Sequence, residues 1–298
     1  MTGDVVPSDI KLRNVRRQFA DLVVLDAFDL TLEAGTVTAL RGPNGSGKTT
    51  VARLVLGLDA PDAGSVEGHQ GRLRAAVFQE NRLFAHLSPL ANVRLVLDRS
   101  DWASAEEHLR LVGLTGATIL TPVGKLSGGQ RRRVAIVRAL AGTADLVVLD
   151  EPYAGLDAVA RHIFYDRLLQ DYGVHPRTIL MSTHLIDEVA DILDHVLVID
   201  GGRLIIDADA DELRGSATTL AGRHSAVQGF AEGREVLTWD SLGGLATVTL
   251  TGLSDAEKSA AQAAGLDVVP VSLQQLIVGR TRGAAREEIE RKLGQERR

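Results

Sequence analysis

One stretch decides the fold class of this 298-residue chain: Arg41-Gly42-Pro43-Asn44-Gly45-Ser46-Gly47-Lys48-Thr49-Thr50. It holds the pattern Gly-x-x-x-x-Gly-Lys-Thr in full, after an apolar run at 37–40 typical of a strand and before a run at 51–58 with helical spacing. Glycines let successive backbone N–H groups turn inward around a phosphate, and a helix start adds the positive end of its dipole. The stretch therefore predicts a phosphate loop in an α/β fold, and by itself it indicates an NTPase and no more.

The polar side chains of this loop have predictable uses. Lys48 would reach the β- and γ-phosphates, and the Thr49 hydroxyl would bind Mg²⁺, which prefers oxygen ligands. The alternative is a Gly-rich turn that joins a strand to a helix without a ligand, and the full pattern in this context disfavours it. The other predicted nucleotide contacts in the loop are Gly42, Pro43, Asn44, Gly45, Ser46, Gly47 and Thr50.

Two carboxylates end an apolar run further along the chain. Residues 146–149 read Leu-Val-Val-Leu, which suits a buried parallel strand, and Asp150 and Glu151 follow directly. Ligands bind at the carboxyl ends of strands in open α/β sheets. We therefore interpret Asp150 as a direct or indirect Mg²⁺ partner and Glu151 as the general base that polarises the attacking water. The alternative is a strand that simply ends in solvent, and the nearby phosphate loop argues against it.

The third motif is Leu126-Ser127-Gly128-Gly129-Gln130, which precedes a helical stretch at 131–140. A serine and two glycines at a helix start form a second anion-binding terminus; a capped surface helix is the alternative. The motif, its helix and its order in the chain closely resemble the signature of ABC (ATP-binding cassette) transporter ATPases. The resemblance implies that Ser127, Gly128, Gly129 and Gln130 contact the γ-phosphate of ATP held by the opposite subunit of a head-to-tail dimer.

Further family positions carry over one at a time. Gln79 matches the Q-loop glutamine, a metal and water contact that also senses the membrane partner. Asp157 matches the D-loop, although the family more often has Ser where Ala154 stands. His184 matches the switch histidine at the γ-phosphate, and Phe19 matches the aromatic that stacks on adenine, where Tyr is commoner. Taken alone, Gln79 and His184 would be satisfied polar residues at strand ends, and Phe19 would be a core aromatic.

Composition limits the class of protein. Hydrophobic residues make up 45% and charged residues 24%, which predicts a sizeable core. The net charge of −6 and the 4% of aromatic residues argue against a nucleic-acid platform. With no cysteine, disulfides, thiolate metal sites and cysteine nucleophiles are excluded. No apolar run approaches the roughly 18 residues that cross a bilayer, and the first twelve residues lack an apolar signal region. We therefore expect a soluble, cytoplasmic chain whose membrane role comes through a partner.

The predicted fold class is α/β: a P-loop NTPase with an ABC-type antiparallel β subdomain and a short helical subdomain, plus a small α+β C-terminal appendage. We expect the cassette at 1–215, its helical subdomain at about 80–135, and an accessory domain at 216–298. Elements predicted in the cassette are strands within 10–40, helices at 98–115 and 131–141, and strands at 178–182 and 196–199 with a helix of about ten residues between them. Elements predicted in the appendage are a linker or weak helix at 216–233, strands at 234–240, 246–250 and 268–271, a helix at 254–264 and a charged helical end at 286–292.

The resemblance also implies a partner and a direction. Residues 182–203 look like the ATPases of ABC-2-type exporters, and 268–276 resembles a segment near the end of such subunits, for which a plain α+β appendage is the alternative. This implies a separate membrane permease, export of a small molecule, peptide or drug, and a place at the cytoplasmic face of the membrane, with a homodimer or heterodimer of cassettes.

Two alternative functions are disfavoured by the sequence. The first is a soluble ABC ATPase that acts on nucleic acid or ribosomes. It is disfavoured by the single cassette, the negative charge, and the 46 residues between Gln79 and Leu126, too few for a long coiled coil. The second is a regulatory cassette that binds ATP without turnover, and it is disfavoured because Glu151, His184 and Gly129 match competent motifs.

Overall fold

The computed structural model describes residues 8–80 and 83–281, which belong to two compact units. The first unit runs to His184 and includes Asp191–Asp207, and the second is formed by Leu185–Ala190 and the chain from Ala208 onward. The domain boundary near residue 215 stays a prediction.

The strands and helices of the first unit follow the chain in this order: β1 (Ile10–Phe19), β2 (Leu22–Leu32), β3 (Val37–Arg41), α1 (Lys48–Val55), β4 (Ala63–Glu67), β5 (Arg74–Val77), α2 (Pro89–Arg94), α3 (Ser104–Leu111), α4 (Gly128–Ala141), β6 (Leu146–Asp150), α5 (Ala158–Val174), β7 (Thr178–Ser182), β8 (His195–Asp200) and β9 (Arg203–Asp209), whose last two residues lie in the second unit. A six-stranded sheet has the order β5-β6-β7-β3-β8-β9, and a three-stranded sheet has the order β2-β1-β4. The α/β fold with an antiparallel β subdomain is thereby confirmed.

Register in the larger sheet brings three strand ends together. The pairs β5–β6, β6–β7, β7–β3 and β3–β8 are parallel, and all five residues of β6 and of β7 are buried. Asp150 pairs with Ser182, and Ser182 pairs with Leu40. Because parallel strands present their carboxyl ends at one edge, the chain leaving β3, β6 and β7 meets there.

Helices α2, α3 and α4 enclose a separate apolar cluster, which is the predicted helical subdomain. Its buried members are Val93, Ala105, Leu109, Val112, Leu114, Ile119, Val123, Leu126, Val134 and Val137. The helix predicted over 98–115 is wrong in extent. Gly113 takes a φ of +74° and ends α3, and the Leu114 N–H closes the helix onto the Leu109 carbonyl at 3.0 Å. On the other side of α3, residues 99–101 form a 3₁₀ turn.

The ten-residue helix predicted between β7 and β8 is also wrong. Two 3₁₀ turns stand there, Ile186–Glu188 and Ala190–Ile192. The Glu188 and Val189 N–H groups donate to carbonyls three residues back, so the backbone is wound more tightly than an α-helix. The apolar spacing of this stretch, with Ile186, Val189 and Leu193 buried, is served as well by two turns as by a helix.

The second unit contains α6 (Ala210–Leu213), β10 (Ala217–Arg223), α7 (His224–Ala231), β11 (Val236–Leu242), β12 (Leu245–Thr251), α8 (Asp255–Ala263) and β13 (Asp267–Pro270). Its four strands form an antiparallel sheet of order β11-β12-β10-β13. The prediction of a linker or weak helix over 216–233 is wrong in part: α7 is helical, but the stretch before it forms β10. Pairing with β12 on one side and β13 on the other overrides the weak strand propensity of Ala217, Ala221 and Gly222.

A helical stretch at 273–281 reaches the end of the described residues. The Ser272 hydroxyl accepts the Gln275 N–H at 3.3 Å, and the Asp187 carboxylate accepts the Gln274 N–H at 3.0 Å. Both oxygens satisfy N–H groups that a helix start leaves without intrahelical acceptors. The charged helical end predicted at 286–292 lies outside the described residues.

Candidate nucleotide site

The loop between β3 and α1 is shaped by its glycines. Gly45 and Gly47 have φ values of +81° and +109°, which side chains with a Cβ disfavour. Gly42 is confined instead by space, because a Cβ there would lie 2.1 Å from the Ile199 carbonyl oxygen on β8. Gly47 is the N-cap of α1 and offers no side-chain cap, so the first N–H groups of this helix have no protein side chain to accept them from that position.

Lys48 folds back over this loop. Its ammonium Nζ donates to the carbonyl oxygens of Gly42 at 2.7 Å and Pro43 at 2.9 Å. The side chain is buried, and this burial lowers the pKa of Lys48, while the charges of Glu151 and Asp150 act in the opposite direction. These two bonds hold the lysine against the loop.

Asp150 links the loop to the strand end. One carboxylate oxygen, Oδ2, accepts the Thr49 hydroxyl at 2.8 Å, and the other, Oδ1, accepts the Ser182 hydroxyl at 2.5 Å. Asp150 is only 2% exposed. Within the described ranges, no three His, Cys, Asp or Glu side chains form a metal-binding group. A hydroxyl and a carboxylate at one place suit Mg²⁺, which takes few protein ligands and completes its shell with phosphate oxygens and water.

Glu151 lies between the two other predicted catalytic residues. Its Oε1 is 3.1 Å from His184 Nε2, and its Oε2 accepts the Gln79 amide at 3.3 Å. The Glu151 N–H donates to the Ser182 hydroxyl at 2.9 Å, and its φ of +46° is one that residues with a Cβ rarely adopt. The structure thus brings Gln79, Glu151 and His184 together, while the amide of Gln79 contacts Glu151 rather than Asp150.

The start of α4 is capped and accessible. The Ser127 hydroxyl accepts the Gln130 N–H at 3.2 Å, and the Gln130 side chain accepts the Ser127 N–H at 2.9 Å, which is a capping box. Ser127 and Gly128 are exposed, and a Cβ on Gly128 would meet no atom within 4 Å. The Gln130 side chain is therefore engaged in the cap, whereas the surface at Ser127 and Gly128 is open.

Two predicted contacts lie apart from this cluster. The Asp157 carboxylate accepts the Ala160 N–H at 2.8 Å and caps α5, so it serves its own helix. Phe19 ends β1 with 45% of its surface exposed, and the Arg17 guanidinium lies 4.6 Å from its ring centroid. Phe19 is therefore not a core aromatic. Its exposed ring, at the end of β1, offers an apolar surface for stacking.

Sequence reasoning missed three residues around Glu151. Ser182 bonds both Asp150 and Glu151, the Tyr153 hydroxyl accepts the His184 N–H at 2.7 Å, and the buried Arg132 donates to backbone carbonyls on either side of Glu151. Ser182 had a usable signal, since it ends an apolar strand two residues before His184. Arg132 had no such signal in the sequence, because it is one of three consecutive arginines. Only the rotation of α4 about its axis determines which of the three faces inward.

Known proteins resemble this chain in sequence. Residues 25–154 match the family model described as ABC transporter. The chain is 39% identical over 236 residues to the aliphatic sulfonates import ATP-binding protein SsuB 1 of Nocardia farcinica, covering 75% of this chain and 94% of that protein. It is 35% identical over 249 residues to the Nod factor export ATP-binding protein I of Cupriavidus pinatubonensis, covering 72% and 76%.

Solved structures show the same fold. A dimeric ATP-binding cassette bound to ADP and phosphate matches with a TM-score of 0.60 and 24% identity, over 67% of this chain and 98% of that one. In the part of the chain that the structure describes, no helix is long and apolar enough to cross a membrane. The extent and identity of the match to the Nocardia protein establish that this chain belongs to the ABC transporter family of ATP-binding proteins and is an ATPase.

Proposed function

We propose that this chain hydrolyses MgATP to power a separate membrane permease at the cytoplasmic face of the membrane. The main evidence is the position of the Glu151 carboxylate, which lies between Gln79 and His184. Glu151 directly follows Asp150, whose carboxylate accepts the Thr49 hydroxyl. A carboxylate in this setting can polarise water next to a phosphate bound in the loop, and phosphoryl transfer needs little more than positioning and charge stabilisation.

Each step rests on a side chain already in place. The Lys48 ammonium exchanges its two carbonyl acceptors for β- and γ-phosphate oxygens, and Thr49 and Asp150 would hold Mg²⁺, which neutralises phosphate charge when bound. Glu151 orients the attacking water and accepts its proton. The imidazole of His184, now against Glu151 Oε1, is within reach of the same centre and would contact the γ-phosphate.

The start of α4 completes the proposed site in a head-to-tail dimer. Its exposed serine and glycine at Ser127 and Gly128 present a positive helix end that can take the γ-phosphate of ATP bound by a second cassette. Support comes from the accessibility of this terminus, and from the fact that a dimer of a related fold has been solved. Whether the second cassette is a copy of this chain or a different one decides if both sites carry the same residues.

Two directions of transport have support, and the predicted closeness to exporters is not upheld. Relatives named as sulfonate import proteins reach 39% to 42% identity, which favours import. Export is favoured by the resemblance of 268–276 to exporter subunits and by the relative named for Nod factor export. Reconstitution with the permease into liposomes, with ATP on the outer side, distinguishes them: accumulation of cargo inside means export from the ATP side, and depletion means import toward it.

The test of the ATPase proposal uses one substitution and two additions. Glu151→Gln should bind ATP with unchanged affinity and lose turnover by about 10²-fold or more, since a positioned base contributes 10²–10⁴-fold. Turnover of the unaltered chain should rise with permease-containing liposomes and stay level with DNA or RNA. Retained turnover in Glu151→Gln would contradict the role of Glu151 as the general base. Stimulation by nucleic acid alone would favour the alternative of a soluble ABC ATPase that acts on nucleic acid or ribosomes.

A further inference from the structure

Arg132 is a buried cation whose partners are backbone carbonyls. Its side chain is on the second turn of α4 and is 3% exposed. Nε donates to the Pro152 carbonyl at 3.0 Å and Nη2 to the Asp150 carbonyl at 2.8 Å, and the guanidinium also donates to the carbonyls of Phe78 and Glu151. One planar group therefore joins α4 to two other segments of the chain.

Those segments carry the reacting side chains. The Phe78 carbonyl directly precedes Gln79, and the other three carbonyls belong to the turn that presents Glu151. The Glu151 backbone has a left-handed φ of +46°, a conformation that persists only where the surroundings hold it. Ser182 holds its N–H, and Arg132 holds its carbonyl. The guanidinium thus binds the backbone beside both partners of the 3.3 Å contact between Gln79 and Glu151.

The burial of this cation costs free energy, which its hydrogen bonds must offset. Burial lowers the pKa of Arg132, and the nearby charges of Asp150 and Glu151 oppose that shift. A buried guanidinium is stabilised only where its donors find good acceptors. A neutral side chain would fill the same space without that requirement, but it would not offer the N–H donors that the guanidinium gives to the four carbonyls.

We propose that Arg132 is a positioning residue that couples the start of α4 to the hydrolytic carboxylate of its own chain; this rests on the proposed function. Arg132 follows Gly128 by four residues, about 6 Å along the helix. When Ser127 and Gly128 take the phosphate of the opposite cassette, α4 shifts as a rigid rod, and the guanidinium passes that shift to Gln79 and Glu151. Occupancy of one site thereby prepares hydrolysis in the other.

The test compares Arg132→Lys with Arg138→Lys, a partly buried arginine on the same helix that makes no contact assigned to the site. Lysine keeps the charge but concentrates its donors on one nitrogen, so it cannot span the four carbonyls. For Arg132→Lys we expect kcat to fall at least tenfold, the ATP dissociation constant to stay within about twofold, and the Hill coefficient for ATP to move toward 1. Arg138→Lys should match the unaltered chain in all three.

Thermal melting and turnover per bound ATP separate this role from a structural one. If Arg132→Lys loses ATP binding in proportion to turnover while the Hill coefficient is unchanged, Arg132 is a structural bridge and the proposal is overturned. Wild-type kcat and Hill coefficient in Arg132→Lys overturn it as well. Glu151→Gln run in parallel reports on the proposed function itself: if that variant still turns over, the carboxylate is not the base and both proposals fall, whereas its inactivity beside an active Arg132→Lys removes only the coupling.

Discussion

Removal of the Ser182 hydroxyl is the sharpest test of how the site is assembled. This oxygen donates to Asp150 Oδ1 at 2.5 Å and accepts the Glu151 N–H at 2.9 Å, and Ser182 is buried. Ser182→Ala leaves one oxygen of a buried carboxylate without its donor. Hydrogen bonds to charged groups contribute about 1.5–3 kcal/mol, so we expect a loss of about 2 kcal/mol in the free energy of unfolding. In a unit of this size that corresponds to a fall of roughly 4–8 °C in the melting temperature.

The matched control lies on the same strand. Thr178 begins β7 and is equally buried, and its hydroxyl accepts the Gly35 N–H at 3.0 Å. Thr178→Val removes a bond between neutral groups, worth about 1 kcal/mol, far from the reacting residues. We expect it to melt a few degrees lower with unchanged kcat, whereas Ser182→Ala should also lose turnover by about tenfold or more, since each 1.4 kcal/mol of misplaced charge stabilisation costs a factor of ten.

Differential scanning calorimetry and a coupled ATPase assay on the two variants give the answer. Equal melting shifts for Ser182→Ala and Thr178→Val, with wild-type kcat in both, would refute the reasoning. That result would mean that the Asp150 carboxylate gains nothing from its second donor, and that Glu151 keeps its place without the Ser182 hydroxyl.

Three further predictions concern the nucleotide contacts. Gly128→Asp places a carboxylate at a helix start with open space around it, so the melting temperature should stay unchanged or rise slightly. ATPase activity should fall at least tenfold because the new charge repels phosphate. Intact activity would exclude this terminus from the site. Phe19→Ala should raise the KM for ATP about tenfold, and Phe19→Trp should restore the original KM. Neither variant should change the melting temperature, because the Phe19 ring is exposed. Equal KM values in the two variants would contradict the stacking of Phe19 on adenine. Burial holds the pKa of Lys48 in the folded chain below its usual 10.5, so the unfolded chain binds more protons just under that pH. The free energy of unfolding should therefore rise with pH in that range. Urea titrations of the nucleotide-free chain should show this rise, and the same titrations of Lys48→Met should not.

The strands and loops that carry the chemistry could be predicted because short-range patterns determine them. The phosphate loop needs glycine at positive φ at Gly45 and Gly47, and the run 146–149 is apolar throughout because β6 is buried on both faces. These requirements leave direct traces in the sequence. The capping box at Ser127 and Gln130 is a second example, since both partners lie within one helical turn.

Features that depend on contacts between distant segments could not be predicted. The strand β10 reads as a linker because its residues are small, and only pairing with β12 and β13 makes it central. The role of Arg132 depends on which of three adjacent arginines faces inward, and the bonds of Ser182 depend on the parallel register that sets it beside Asp150. A helix predicted between β7 and β8 from apolar spacing became two 3₁₀ turns, because 186, 189 and 193 can be buried by either geometry.

The two helix starts differ in a way that assigns them different parts. The start of α4 is stabilised within its own chain. The Ser127 hydroxyl accepts the Gln130 N–H and the Gln130 side chain accepts the Ser127 N–H, so these bonds fix its surface without a ligand. The start of α1 has glycine as its N-cap and no side-chain acceptor, and the Lys48 ammonium beside it is held by carbonyls of the loop. Phosphate oxygens can therefore satisfy N–H groups of α1 and release Lys48 from the loop, whereas α4 gains no internal bond from the same anion. Under the proposed function, the binding energy of the nucleotide is therefore available to order the loop before α1, and the signature helix would meet that nucleotide with a surface that its own capping box has already fixed.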